Sequence, residues 1–303
     1  MLLIHADDYG VSLHASRDIA ELISNNQLDS TSIIPNMSCY ETSIDLLKKA
    51  LKKSSRKVEL AIHLNLMEGH CVAESSKVPC LVDRDGYFVR SWGDLLKVSY
   101  QKTIRESWKK QIKEEIRAQI RRVRDDMESN IRFRIDSHQH THMIPVVWEA
   151  LTEVLEENLI QVSCVRIPDE PILPFFEERK HVLSYGMLNP VKHILLHRLA
   201  KHAKRTMPQF YQDSMKFWGL LMSGCMDEKR VEALSPYFRR YALDRKQDIE
   251  MVFHPGQTLK SEIGREYTKQ GFIDDHLSAN RSMEKKTIMQ MERIKNSRGD
   301  GVL

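Results

Sequence analysis

Four apolar runs of this chain end on side chains that bind metals or move protons. Leu2-Leu3-Ile4-His5-Ala6 leads into Asp7-Asp8-Tyr9-Gly10, and Leu60-Ala61-Ile62 leads into His63. Phe133-Arg134-Ile135-Asp136-Ser137 leads into His138, and Met251-Val252-Phe253 into His254. Short apolar runs separated by stretches of helical periodicity predict a mainly parallel sheet with crossover helices. The C-terminal ends of such strands lie on one rim, and that rim carries the active site of α/β folds. The pattern therefore constrains the chain to an α/β architecture whose chemistry gathers at one end.

The predicted strands are Leu2–Ala6, Ser30–Ile34, Glu59–Leu64, Arg132–Ser137, Val162–Ile167 and Asp248–Phe253, with room for a seventh. The predicted helices include Leu13–Asn25 capped by Ser12, Thr42–Leu51, a long one from Tyr100 to about Met127, and Pro145–Glu157. A loop-rich excursion occupies residues 67–99, and a helix over Ser282–Lys295 closes the chain. The 303 residues suit one catalytic domain of TIM-barrel size, and six or seven strands imply an irregular barrel. A mostly helical insert is expected over residues 191–241, before the last strand. Its run Phe210, Tyr211, Met215, Phe217, Trp218, Leu220, Leu221 and Met222 suits packing on the barrel or contact with a second subunit in a homodimer.

Charge excludes little. The net charge of +4 comes largely from residues 102–124 and 192–205. In the first stretch Ile104, Trp108, Ile112, Ile116, Ile120 and Val123 recur at helical spacing, so the basic residues form a solvated helix face. No aromatic–basic interleaving or zinc-finger spacing points to nucleic acid, and no apolar run reaches the roughly 18 residues of a membrane span. A first strand beginning almost at Met1 makes a signal peptide unexpected, and the five cysteines form no CxxC pair. A cytoplasmic protein with reduced thiols is expected.

Adjacent carboxylates at a buried strand end repel each other and lose hydration, a penalty that a bound dication removes. Asp7 and Asp8 suit that role, with a helix N-cap pair as the competing explanation. His138, His140 and His142, spaced by two, line one face if the segment stays extended, and suit metal or substrate binding. Asp136 can orient one imidazole from behind. His63 and His254 gain weight from their strand-end positions. His193 and His197 lack the glutamate of HExxH, and no GxSxG, Walker or GxGxxG motif is present.

Taken together, Ala6-Asp7-Asp8-Tyr9-Gly10, Ile62-His63-Leu64-Asn65-Leu66, Asp136-Ser137-His138-Gln139-His140-Thr141-His142 and His254-Pro255-Gly256 resemble the YdjC-like family of carbohydrate deacetylases. The resemblance runs from Leu2 to about Gly256. It implies an irregular (β/α) barrel that hydrolyses an N-acetyl group on an amino sugar or short N-acetylglucosamine-containing oligosaccharide. It also implies one divalent metal ion, zinc or magnesium, on Asp8, His63 and His138, with Asp7 as general base. His254 then suits protonation of the leaving nitrogen, Arg166 a grip on a sugar hydroxyl or on Asp7, and His140 and His142 substrate or outer contacts. A second arrangement pairs His138 with His142 as ligands. A metal-dependent phosphoesterase and a non-catalytic carbohydrate-binding protein are the alternatives. Gly69-His70-Cys71-Val72 and the insert depart from the family pattern where substrate is selected.

Overall fold

A computed structural model describes residues 1–177, 190–206 and 215–296. Its strands are β1 (Leu2–Tyr9), β2 (Ser30–Ile33), β3 (Glu59–Leu64), β4 (Arg132–Ser137), β5 (Gln161–Val165), β6 (Lys216–Trp218) and β7 (Ile249–Phe253). All pairings are parallel, in the order β5-β4-β3-β2-β1-β7-β6. The sheet is curled into a half-barrel with β5 and β6 as its edges. The irregular barrel expected from length and strand count is thus a curled, open sheet of seven parallel strands among the described residues. A TIM barrel has eight strands of matched tilt. Here the described stretches between β5 and β6 include two helices and no strand, and β6 is only three residues long.

The helices are α1 (Leu13–Ser24), α2 (Tyr40–Lys53), α3 (Trp92–Val98), α4 (Lys102–Asp126), α5 (Pro145–Leu155), α6 (Leu173–Glu177), α7 (Pro190–Thr206), α8 (Glu228–Arg245), α9 (Gln270–His276) and α10 (Ala279–Asn296). Ser12 caps α1 by accepting from the Ala15 amide at 3.2 Å, so Asp7 and Asp8 are not that helix's cap. Crossover helices cover the sheet, which is why β2 and β7 are buried along their whole length.

The insert is not purely helical. Its Lys216–Trp218 pairs with β7 and supplies the seventh strand. Phe217, Trp218, Leu220 and Met222 are buried in the core, with Trp218 stacked on Phe238 at 4.0 Å. These four therefore pack into the protein itself, and Phe210 and Tyr211 lie outside the described residues. β6 eluded the periodicity because an edge strand of three residues has no pattern of its own.

The basic helix α4 turns its charges onto α5. Lys109 and Lys113 reach Glu153 at 3.0 and 2.7 Å, and Arg117 reaches Glu157 at 2.6 Å. Its inner face is less apolar than predicted, since Glu115 and Gln119 are buried beside Ile112, Ile116, Ile120 and Val123, while Ile104 is exposed. Gln119 has a reason to be there: it accepts from the Asn65 amide at 2.9 Å and donates to the Asn65 carbonyl at 2.7 Å. The long helix thus fixes the chain just after His63. Among the described residues no helix is long and apolar enough to cross a membrane.

After β7 the chain turns through His254-Pro255-Gly256. Gly256 has φ +94°, and a β-carbon there would lie 2.7 Å from Ala15 Cα and 2.8 Å from its carbonyl oxygen. Gly256→Ala should destabilise the protein by roughly 1–3 kcal/mol, the typical cost of a strained backbone position. Urea unfolding measures it, and a midpoint equal to wild type would contradict this account of the turn.

Candidate metal centre and active site

The rim chemistry begins with an irregularity in β1. Its pairing with β2 shifts register between Ala6 and Tyr9, and Asp8 adopts φ +64°. In a regular strand Asp7 and Asp8 would point to opposite faces. The left-handed residue swings Asp8 round so that both carboxylates line the same cavity. Aspartate tolerates this region better than most residues.

The Asp8 Oδ1 atom lies 3.5 Å from His63 Nε2 and 3.1 Å from His138 Nδ1. These three buried donors lie within 4.8 Å of one another. Behind them, the other ring nitrogen of His63 faces Asp136 Oδ1 at 2.7 Å. Arg281 donates to Asp8 Oδ2 at 2.8 Å and leaves Oδ1 toward the imidazoles.

The histidine triplet does not stay extended. Residues His138–Met143 form a 3₁₀ turn in which Gln139 and His140 have φ +56° and +54°. The turn scatters the three rings. His138 faces Asp8. His142 lies between Ser137 Oγ at 2.6 Å and the Arg166 carbonyl at 2.7 Å, so both of its nitrogens are engaged away from Asp8. This corrects the arrangement pairing His138 with His142 as ligands. His140 packs edge-on against Phe217 at 5.4 Å on the cavity wall. Burial keeps His142 neutral, with its pKa pushed down to about 4. Burial, reinforced by Lys192, also holds His140 well below its ordinary value.

Arg166 is fully engaged by carboxylates. It donates to Asp7 Oδ1 and Oδ2 at 2.8 and 3.0 Å and to Glu250 at 2.8 Å, and it lies 2.9 Å from Asp136 Oδ2. Of its two expected roles, the structure places it on Asp7 and leaves its guanidinium committed to buried acids. His5 completes the group, with Nε2 2.9 Å from Asp7 Oδ1 and Nδ1 3.0 Å from Glu250. Burial opposes ionisation of Asp7, but Arg166, His63 and His5 outweigh it and hold the carboxyl well below its usual range. At Asp8 burial is likewise outweighed, by Arg281 and His138. Burial disfavours charge on the two imidazoles, yet carboxylates push them up, His63 to about 10 mainly through Asp136 and Asp7, and His138 to about 9 mainly through Asp8.

His254 is half-buried. Its Nε2 lies 3.9 Å from Asp7 Oδ2 and its Nδ1 3.9 Å from Glu284, which also accepts the His254 backbone amide at 2.5 Å. Asp7, Asp8, His63, His138, His140 and His254 line one cavity of about 360 Å³ together with Lys192, Phe217, Phe272 and Arg281. A larger hollow of about 840 Å³ lies at the opposite end of β4 and β5, beside Arg132 and Gln161. It contains none of the predicted site residues, so size does not identify the site.

Several residues of this centre were not foreseen. His5, Arg134 and Glu250 are single polar residues inside apolar strand runs, and that interruption is a readable signal. Glu68, His276, Arg281 and Glu284 lie in loops or polar helices, where their burial leaves no mark on the pattern.

Arg166→Met should cost about 3–5 kcal/mol at neutral pH, the usual effect of stranding buried charges. Its carboxylate partners have depressed folded pKa values. Their stabilisation is present above the unfolded values near 4 and is lost as pH falls through the folded values below that. The deficit of the variant should therefore shrink toward acid pH. Denaturant titrations at neutral and acidic pH measure it, and a deficit that stays constant or grows on acidification would contradict the assignment.

Known proteins resemble this chain in sequence and in fold. A protein of Danio rerio named carbohydrate deacetylase is 26% identical over 174 residues, covering 57% of this chain and 51% of its own length. The Clostridium beijerinckii protein of the same name is 27% identical over 165 residues, covering 54% of this chain and 60% of itself. The match thus spans only about half to three-fifths of the length of these curated relatives. A crystal structure from Enterococcus faecalis V583, described as a candidate cellobiose-phosphate cleavage protein, superposes with a TM-score of 0.59 at 14% identity. It covers 97% of this chain and 94% of that one, and it shows the fold alone. The family model described as YdjC-like protein matches residues 1–293, and the chain belongs to the YdjC-like family.

Proposed function

We propose that this protein is a metal-dependent hydrolase that removes an N-acetyl group from an amino sugar or a short N-acetylglucosamine-containing oligosaccharide. The observation that carries the reading is the convergence of Asp8, His63 and His138 on one point of a cavity that Asp7 and His254 also enter. The names of the curated relatives support the acetylated sugar.

The donor set fits a dication. Ligands at about 2.1 Å on a tetrahedron lie about 3.4 Å apart. The separations of 3.5 and 3.1 Å from Asp8 to the two imidazoles match that spacing. One carboxylate with two imidazoles suits zinc by softness, while magnesium favours more oxygen ligands. When bound, the metal would acidify a water and polarise the acetyl carbonyl.

The chain's own residues do the rest. Asp7 is held ionised by Arg166 and His5, so an acceptor oxygen is always available beside the cavity. A carboxylate held so low is a weak base, which suits it to orient water and receive a proton from a water already acidified. His254, 3.9 Å from Asp7, is too far for a direct hydrogen bond and close enough to bracket a reacting acetamide from the other side. Its Nε2 delivers a proton to the departing sugar nitrogen. Lys192, His140 and Phe217 form the outer wall against the sugar.

Acetate release is the test, measured on N-acetylglucosamine, its phosphate, and chitobiose to chitotetraose, with metal-stripped protein refilled with zinc, magnesium, cobalt or nickel. Release that depends on added metal is expected. Metal-loaded protein that releases phosphate from simple esters and no acetate would instead establish the phosphoesterase. Asp8→Ala should lose both metal and activity while remaining folded. Asp7→Asn should keep its metal and lose about 10²–10⁴-fold in kcat, the usual contribution of a general base. Full metal content in Asp8→Ala would refute the ligand assignment.

A further inference from the structure

Both imidazoles facing Asp8 have a second carboxylate behind them, hydrogen-bonded at His63 and at ion-pair distance without hydrogen-bond alignment at His138, and only the first was foreseen. His63 turns one nitrogen to Asp8 and the other to Asp136 at 2.7 Å. His138 turns Nδ1 to Asp8 at 3.1 Å and Nε2 to Glu68 Oε1 at 3.2 Å. Each ring thus lies between the shared aspartate and a private carboxylate.

Glu68 is fully buried and tightly held. Its backbone carbonyl accepts from Asn36 at 2.8 Å and from Asn65 at 3.0 Å, and its amide donates to Asn65 Oδ1 at 3.3 Å. Its Oε1 lies 2.7 Å from His276 Nε2, supplied by the last residue of α9. The ring of His276 stacks on that of His138 at 6.0 Å, and Phe272 from the same helix closes on His138 edge-on at 5.4 Å. A buried carboxylate beside a ring nitrogen favours the proton there, and with Asp8 committed to a cation the carboxylate left to His138 is Glu68. With the proton on Nε2, the lone pair of His138 is on Nδ1, where Asp8 and His63 converge.

We propose that Glu68 is the positioning carboxylate of His138, accepting its Nε2 proton so that Nδ1 presents a lone pair toward Asp8 and His63, and that His276 anchors Glu68 in that role. The proposal rests on the metal reading above. It adds two residues, from the loop after β3 and from α9, that hold the centre without touching substrate.

The test uses the full chain loaded with zinc. Competition with a chelator gives the metal dissociation constant, elemental analysis gives the metal content, and nitrogen-15 imidazole shifts give the tautomer of His138. Wild type should bind one ion, with His138 protonated on Nε2. Glu68→Gln should weaken zinc about 10–100-fold, the usual loss for an outer carboxylate. The glutamine can offer its amide hydrogens to Nε2 and so favour the wrong tautomer. His276→Gln, which keeps a donor to Glu68, should lose less. A folded Glu68→Gln with wild-type zinc affinity would overturn the proposal and reduce the Glu68–His276 contact to a buried ion pair that only stabilises α9. Two ions per wild-type chain would also overturn it, because Glu68 would then be a ligand itself. Should Glu68→Gln not fold, the wild-type spectrum decides: a His138 proton on Nδ1 overturns the idea. A wild-type protein that binds no metal fails the function reading as well, and unchanged affinity in Glu68→Gln fails this proposal alone.

Discussion

The guanidinium of Arg166 holds the centre together from beneath. It joins Asp7, Asp136 and Glu250, three carboxylates delivered by β1, β4 and β7. Asp136 in turn orients His63, so one cation fixes both the proposed proton acceptor and a proposed metal ligand. The position of Arg166 is itself secured: its amide donates to the Ile135 carbonyl at 2.8 Å, and its carbonyl meets His142. His142 thus matters as a neutral strut under Arg166 instead of a ligand. Around the cavity floor, the buried carboxylates Asp7, Asp8, Asp136, Glu68 and Glu250 outnumber the buried guanidiniums Arg134, Arg166 and Arg281. Asp136 and Asp7 beside His63, and Asp8 and Glu68 beside His138, push both imidazole pKa values up against the effect of burial. A dication brings the same positive charge as the two protons it would displace, so loading the centre would change its chemistry while leaving its charge balance nearly intact.

The centre also depends on backbone that regular elements do not provide. Asp8, Gln139 and His140 all have positive φ. The first turns a second carboxylate onto the face already used by the one before it. The other two bend the chain after β4 so that His138 reaches Asp8 while His142 dives beneath Arg166. Non-glycine residues hold such conformations only where their surroundings over-determine them, and these clusters are typical of functional sites. At Asp8 that surrounding is the Arg281 ion pair, and at the 138–143 turn it is the Ser137–His142 hydrogen bonds at 2.6 and 2.9 Å.

The sequence revealed the strand ends well and the packing between them poorly. Long buried strands announce themselves by composition, so β1, β3, β4 and β7 and the side chains at their tips were legible. β6 was not, because three residues at a sheet edge are invisible among helical neighbours, so the expected six or seven strands could be counted but the seventh could not be placed. The extended reading of His138, His140 and His142 failed because two non-glycine residues with positive φ carry no compositional mark. The support of His63 by Asp136 could be read locally, since both lie at strand ends. The contact of His138 with Glu68 and His276 could not, because α9 follows β7 in the chain and reaches back across the rim.

The cavity has two halves with different origins. Its floor is built by the tips of β1, β3, β4 and β7, where each side chain is fixed by sheet register and by buried ion pairs. Its wall comes from later and less regular pieces: Lys192 on α7, Phe217 on β6, Gly219, Ser223 and Gly224 after it, and Phe272, Asp275 and Arg281 from α9 and α10. Catalytic geometry needs rigidity, whereas selection among sugars needs a surface that can vary without disturbing the metal donors. Phe217 and His140 touch edge to face, so the insert is not independent of the centre. Replacing the wall would reshape the cavity mouth, but Arg166, Asp136 and Asp8 would still hold the floor in place.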